Sequence, residues 1–324
     1  MTGRRSLTGR RSLTVRAPAK INLLLGVGAP RPDGFHTLVT VYQAVSLYDD
    51  VTVTEADPGA DPGADPGVDG LSVATEVASY IDPSHLPEPG HNIVDRAAAA
   101  LSSHHGRPVR AEVKVDKSIP IAGGLAGGSA DGAAALLALD RLHGLGTSDE
   151  DLLLLAAGLG SDVPFALVGG SAIGEGHGEI VTPVEDRGSW WWVVVPSSEG
   201  MSTPAVYRHH DELRPDAPVL PGPPGDVIAA LSSGDVRRLA DALHNDLEQA
   251  ACDLRPDLAR LIIDGVDAGA VRGLVSGSGP TSVFLCESGD HARAVAGVLT
   301  AADEQRVALV AHGPVAGAHP VAPE

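Results

Sequence analysis

Four glycines crowd into six residues in the segment KSIPIAGGLAGGSADGAAALLALD, which runs from Lys117 to Asp140: Gly123, Gly124, Gly127 and Gly128. Such a loop lets a ligand approach the backbone, because no side chain stands in the way. Ahead of it, Val109, Ala111, Val113 and Val115 alternate with Arg110, Glu112, Lys114 and Asp116. That is the period of a half-buried strand. Behind it, Ser129 reads as the N-cap of a helix that runs to Leu142 and can stop at Gly144. Free N–H groups and the positive dipole end of a helix start suit phosphate. The pattern is neither a Walker A loop, since no lysine precedes Ser129, nor the G-x-G-x-x-G dinucleotide fingerprint. The alternative is a glycine-rich turn packed tightly against a neighbouring element.

Charged groups for chemistry are few. The only lysines are Lys20, Lys114 and Lys117, and Lys20 interrupts the apolar, strand-like AKINLLLGV. It reads either as a functional cation or as a lysine snorkelling from a strand edge. Asn22, two residues on, shares its strand face. Asp162, in Gly160-Ser161-Asp162-Val163-Pro164, taken alone reads as a helix N-cap. Arg31-Pro32-Asp33-Gly34 is strong turn chemistry and leads into Phe35 and His36.

Composition narrows the class. A chain of 324 residues can hold two domains, and its formal charge of −19 argues against a partner nucleic acid, which needs a basic surface. Cys252 and Cys286 lack zinc-ligand spacing and read as free thiols of a reducing cytoplasmic compartment. No apolar run is long enough to span a membrane.

Three segments, in order, resemble the motifs of the GHMP kinases, the superfamily of galactokinase, homoserine kinase and mevalonate kinase. They are Pro18-Ala19-Lys20-Ile21-Asn22-Leu23, then Pro120-Ile121-Ala122-Gly123-Gly124-Leu125-Ala126-Gly127-Gly128-Ser129-Ala130, then Val275-Ser276-Gly277-Ser278-Gly279-Pro280-Thr281. The segments Arg31–His36, Gly160–Pro164 and Asn245–Glu248 narrow the resemblance. They are similar to the branch that phosphorylates the 2-hydroxyl of 4-(cytidine 5′-diphospho)-2-C-methyl-D-erythritol, a step of non-mevalonate isoprenoid synthesis. The resemblance runs from about Val15 to His312.

It implies an α+β fold of two domains, each a mainly antiparallel sheet with packed helices. It also implies ATP as donor with Mg²⁺, and a small-molecule acceptor bearing a cytidine diphosphate. Pro120 to Ala130 would bind ATP. Lys20 would sit beside the acceptor hydroxyl and the γ-phosphate, with Asp162 as the base. Asn22 would bind substrate or orient that pair, Phe35 would stack on cytosine, and His36 would read its edge. Ser129 is a candidate for Mg²⁺, and no protein ligand set for the metal is legible. Phe35 stands where the family more often has tyrosine, and Ala130 where it usually has a second serine. Two other readings are a homoserine or mevalonate type of kinase and a catalytically silent nucleotide-binding regulator.

The expected organisation is a disordered extension over residues 1–14, an N-terminal domain over 15–182, a C-terminal domain over 183–313 and a flexible tail over 314–324. The extension holds the tandem TGRRSLTGRRSL, and Ala56–Gly67 is three copies of Ala-Asp-Pro-Gly, which reads as a lengthened, solvated loop. Strands are expected near Thr14–Gly26, Thr37–Thr54 and Trp190–Val195, the last stopped by Pro196. A strand pair is expected at Gly273–Ser276 and Ser282–Cys286. Further helices are expected from Ser148, with Asp151 closing a capping box, and around Gly225–Asn245 and Pro256–Ala268.

Overall fold

The computed structural model describes residues 10–56, 71–88, 90–121, 123–197 and 199–322. The first nine residues, most of the Ala-Asp-Pro-Gly repeat and Ala122 of the glycine loop lie outside them.

Two long strands, β1 (Ser12–Pro30) and β2 (His36–Glu55), form the antiparallel hairpin on which the molecule is built. Its turn is the one expected from Arg31–Gly34: the Gly34 N–H donates to the Arg31 carbonyl at 2.9 Å, and Gly34 takes a φ of 83°. The pairing register slips between Pro18 and Ala19 and again between Asn22 and Leu24. Such irregularities re-aim side chains, and these two bracket Lys20 and Asn22. The sheet continues through β3 (Leu71–Val77) and β4 (Ala111–Lys117) in the order β1-β2-β4-β3. The other half of β2 pairs with β5 (Ser171–Gly176), which carries β6 (Ile180–Pro183).

A second, wholly antiparallel sheet begins at β7 (Trp190–Val195). In it, β7 lies between β11 (Leu309–Gly313) and β10 (Ser282–Cys286), and β9 (Arg272–Val275) closes the edge. Two pieces from the C-terminal half return to the first sheet. These are β8 (His244–Asn245), parallel to β1, and β12 (His319–Val321), antiparallel to it. Trp192 joins the layers, its Nε1–H donating to Gln43 Oε1 on β2 at 2.9 Å.

Helices α1 (Ile93–His105), α2 (Gly127–His143) and α4 (Val163–Val168) pack on the first sheet, with α2 most deeply buried, and α3 (Asp149–Leu159) packs on these three helices. Its alanines let it lie close against β1 and β2, as Ala130, Ala133, Ala134, Ala135 and Ala138 are wholly buried. The remaining helices are α5 (Thr203–Leu213), α6 (Gly225–Ser233), α7 (Val236–Ala242), α8 (Glu248–Leu254), α9 (Pro256–Asp267) and α10 (Gly289–Ala302). Ser148 caps α3 as expected, its Oγ accepting from the Asp151 N–H at 3.1 Å.

Four expectations need correction. The extension is not disordered to residue 14: Ser12–Thr14 belong to β1 and pair with Thr52–Thr54, while Arg10 and Arg11 bond Glu112 and Glu55. Nor is 314–324 a free tail, since β12 completes the sheet beside Thr14–Arg16. Ser129 is not the N-cap of α2; the cap stands three residues earlier, at Ala126, whose φ of 57° supplies the entry bend. The helix expected across Gly225–Asn245 is broken at Gly234. Asp235 then caps α7 by accepting from the Arg237 and Arg238 N–H groups.

Candidate active site

Alternation along β1 sends Ala19, Ile21 and Leu23 into the core, while Lys20 and Asn22 line a cavity of about 570 Å³ on the opposite face. Lys20 is only 7% exposed and donates from Nζ to Asn22 Oδ1 at 2.8 Å. Asn22 in turn donates to Thr40 Oγ1 at 2.8 Å, and Thr40 donates to the Leu24 carbonyl at 2.7 Å. This chain of hydrogen bonds fixes the lysine tip. The other two lysines are engaged elsewhere. Lys114 bridges Glu76 and Asp116 at the surface, and Lys117 is buried between Asp49 and Asp131 at 2.6 Å from each.

Across the cavity stands Asp162, with Oδ2 at 3.6 Å from Lys20 Nζ. It occupies the N-cap position of α4 but makes no side-chain cap bond, so its carboxylate is free for the cavity. The simple capping role that the residue suggests in isolation is therefore not the one it plays.

The glycine loop closes the third side through Pro120, Gly123, Gly124, Ala126, Gly127, Gly128 and Ser129. Its glycines have different reasons. A Cβ on Gly124, at a φ of 79°, would run into the Ser276 carbonyl, and one on Gly123 would lie 2.5 Å from Thr281 Oγ1. These two are glycine because the Ser276–Thr281 loop packs on them. Ser276 Oγ donates back to the Gly124 carbonyl at 3.2 Å. Gly128 is different: nothing lies within 4 Å of its absent side chain, and it opens on the cavity at the first turn of α2. Thus both readings of the glycine cluster hold, the packed turn for one pair and the open backbone for the other end. Asn245 anchors the same assembly, donating from Nδ2 to the Val275 and Gly277 carbonyls at 2.8 Å each.

A second cavity, of about 830 Å³, adjoins the first and shares Leu38, Ser161, His177, Thr203 and Tyr207 with it. Phe35, 62% exposed, meets His177 edge to face at 5.1 Å between ring centres. His36 is buried, its Nε2 held 2.9 Å from Asp211 Oδ1 and its ring 4.9 Å from that of Tyr207. Burial pushes the Tyr207 hydroxyl up to about 12, with the Asp162 charge adding to it, so it stays protonated.

The GHMP kinases N terminal domain matches residues 92–170, and the GHMP kinases C terminal domain matches 227–305. A 4-diphosphocytidyl-2-C-methyl-D-erythritol kinase of Nocardioides sp. (strain ATCC BAA-499 / JS614) is 61% identical over 305 residues, covering 94% of this chain and 98% of that one. The chain belongs to the 4-diphosphocytidyl-2-C-methyl-D-erythritol kinase family. A crystal structure titled 4-(cytidine 5′-diphospho)-2C-methyl-D-erythritol kinase superposes with a TM-score of 0.72 at 31% identity, over 93% of this chain and 98% of that one. Homoserine kinase from Cytophaga hutchinsonii ATCC 33406 reaches a TM-score of 0.67 at 18% identity, over 99% and 100%, a likeness of fold alone.

Of the residues singled out from the sequence, Lys20, Asn22 and Asp162 meet in the first cavity with Pro120 and five positions of the glycine loop from Gly123 to Gly128. Ser129 lines it too, while Phe35 and His36 line the second. Leu125 and Ala130 instead turn into the core, and Ile121 faces away from this cavity. Leu125 contributes through its carbonyl, which accepts from the Lys20 N–H at 3.1 Å. Sequence reasoning missed Thr40, Tyr42, His177, Tyr207 and Asp211. Only Thr40 and Tyr42 carried a signal, since Asn22 pairs directly with Tyr42 across the β1–β2 hairpin. The others come from segments far apart in the chain, with no shared pattern.

Proposed function

We propose that this GHMP kinase transfers the γ-phosphate of ATP to the 2-hydroxyl of 4-(cytidine 5′-diphospho)-2-C-methyl-D-erythritol. The observation that carries the reading is the Lys20–Asp162 pair, 3.6 Å apart, in a glycine-walled cavity that shares Ser161, the neighbour of Asp162, with an adjoining aromatic one. The first cavity suits the triphosphate. Lys20 is the one lysine or arginine that lines it among the described residues, and the N–H groups of Gly127, Gly128 and Ser129 stand at the start of α2. The second suits a nucleotide-bearing acceptor. Phe35 offers a ring to stack on the base, and His36, steadied by Asp211, offers an edge donor or acceptor.

In this arrangement the acceptor oxygen forms a bond to the γ-phosphorus, the bond from that phosphorus to the β–γ bridging oxygen breaks, and ADP leaves. Asp162 accepts the hydroxyl proton and later releases it to solvent. Lys20 balances the charge on the acceptor oxygen and the moving phosphoryl group. Among the described residues no cluster of three or more His, Cys, Asp or Glu could hold a metal. Mg²⁺ would be carried chiefly by the nucleotide phosphates, with the Ser129 hydroxyl as the protein group that would reach it. When bound, the ion would neutralise phosphate charge.

The same reading divides the chain near Thr182, at the end of β6, and locates the enzyme in the cytoplasm, where ATP is available. Among the described residues no helix is long and apolar enough to cross a membrane. A homoserine-type acceptor fits the second cavity poorly, since about 830 Å³ far exceeds what a four-carbon amino acid fills. Coupled measurement of ADP release with the cytidine substrate, homoserine and mevalonate tests the reading. The cytidine substrate should have the highest kcat/KM. A higher value for either rival would overturn the acceptor assignment, and no turnover of any would leave a silent nucleotide binder.

A further inference from the structure

The acceptor proposed above has a charged middle. Its base belongs in the second cavity and its reacting hydroxyl beside Lys20 and Asp162 in the first, so its diphosphate must lie where the two adjoin. Five residues line both cavities: Leu38, Ser161, His177, Thr203 and Tyr207. Leu38 has no polar atom in its side chain. The Thr203 hydroxyl is already engaged, with Oγ1 2.8 Å from Ser278 Oγ. Ser161 and Tyr207 offer neutral hydroxyls. Of the five, only His177 can carry a positive charge.

The side chain of His177 is held in place yet unused. It is half-buried, and its ring packs edge to face on Phe35 at 5.1 Å between centres. Neither ring nitrogen has a hydrogen-bond or ion-pair partner among the described residues, and neither is sealed from solvent. The turn that presents it, between β5 and β6, has a defined shape. Gly176 and Gly178, on either side, take φ of 75° and 105°, conformations that favour glycine. A Cβ on Gly178 would collide with the Tyr42 hydroxyl, so the turn sits close on β2. Glu179 also lines the second cavity, but its Oε2 accepts from the His177 backbone N–H at 2.6 Å and so staples the turn.

We infer that His177 is a specificity-determining residue whose ring N–H donates to a phosphate oxygen of the acceptor's diphosphate, an inference that rests on the cytidine diphosphate reading above. An imidazole carries at least one N–H in either charge state, and an ionised phosphate oxygen accepts. Such a bond to a charged oxygen is roughly twice as strong as one between neutral groups. The site would then favour a nucleoside diphosphate over the bare nucleoside. Phe35 would hold the base while His177, packed against it, holds the adjacent charge. Arg208 is the rival cation. It lines the second cavity but not the first, and so stands away from the shared rim.

His177→Phe keeps an aromatic edge toward Phe35 and removes the N–H. Calorimetric titration would compare CDP with cytidine, the donor site being filled by a non-hydrolysable ATP analogue. CDP binding should weaken by roughly 10- to 100-fold, the range set by a hydrogen bond to a charged group, with cytidine binding within about two-fold of wild type. His177→Gln, which restores an N–H donor, should recover part of the loss. In turnover, KM for the cytidine substrate should carry most of the effect. An equal loss for CDP and cytidine would reduce His177 to a packing partner of Phe35 and overturn the inference. So would unchanged CDP binding in His177→Phe beside a loss in Arg208→Gln. Wild-type enzyme that binds neither CDP nor cytidine would sink the acceptor reading itself, and the inference with it.

Discussion

The two adjoining cavities are built in opposite ways. The one assigned to the donor has six glycines in its wall, and its parts are locked together. Gly123 and Gly124 press on Ser276–Thr281, Asn245 holds the Val275 and Gly277 carbonyls, and Lys20 is tied to Leu125 through its own N–H. The one assigned to the acceptor is walled by side chains from the β1–β2 turn, the His177 loop and α5, with Phe35 standing largely in solvent. A change at one of these packed donor-side positions therefore disturbs stability along with binding. Changes to exposed side chains on the acceptor side should alter binding at little cost to the fold. Evolution of a new acceptor on this scaffold has room only on the second side.

The sharpest break in that comparison is expected at the charged pair of the first cavity. Asp162→Asn should reduce kcat by about 10²–10⁴-fold, the scale of a general base, with ATP affinity and melting temperature little changed. Steady-state kinetics beside ATP titration would read this, and turnover within about two-fold of wild type would remove Asp162 from the mechanism. Lys20→Met should be similarly damaging. Lys20→Arg should not rescue it, because a guanidinium does not present the compact charge of an ammonium.

Next come the glycines. Gly124→Ala should cost about 1–3 kcal/mol from its positive φ, and overpacking against the Ser276 carbonyl should add a similar amount. Gly128→Ala meets no protein atom, so its stability should hold while its ATP affinity falls. Thermal melts with and without ATP separate the two. Equal melting temperatures for both variants would mean that the loop is not locked as described. The φ of Gly124 is positive, where those of Gly127 and Gly128 are not.

On the acceptor side, Phe35→Ala should weaken binding of the cytidine substrate by roughly 5- to 150-fold, the worth of one base–aromatic stack, and leave ATP binding and melting temperature alone. Calorimetric titration with CDP and with an ATP analogue would show the split. A fall in ATP affinity with CDP unaffected would place Phe35 on the donor side. The smallest effect belongs to the low-complexity segments. Shortening Ala56–Gly67 to a brief turn should change stability by only about 0.6 kcal/mol per halving of the loop. Trimming through Thr8 should be silent, whereas trimming through Leu13 removes two residues of β1 and the Arg10 and Arg11 ion pairs. Urea melts of the two truncations should therefore differ.

What was legible follows the same division. The donor side announces itself as short contiguous strings, because backbone-built sites need glycine at fixed spacing and a strand with a charge where none belongs. The tryptophan strand, the Ser148 cap and the β9–β10 pair were equally plain, since each is specified by neighbours in sequence. The start of α2 was misread because Ser129 satisfies the rule for a cap, while the bend is made at Ala126, whose positive φ no propensity anticipates. Tyr207, His177 and Asp211 left no trace, as only the folded chain brings them to Phe35 and His36. The tail was misread because composition says nothing of a strand three residues long that finds its partner about three hundred residues away.

That last pairing has a consequence for how the protein is made. The strand bearing Lys20 is among the first to leave the ribosome, yet its neighbours β8 and β12 are encoded in the later half of the chain. At about 5–20 residues per second, β1 waits roughly 15–60 s for β12. During that interval one of its edges lacks its final partner, at a segment rich in valine, leucine and isoleucine. The hazard of this enzyme thus lies in its biosynthesis rather than in its finished form. Nascent chains stalled before His319 should be more protease-sensitive across Thr14–Arg16 than released chains are.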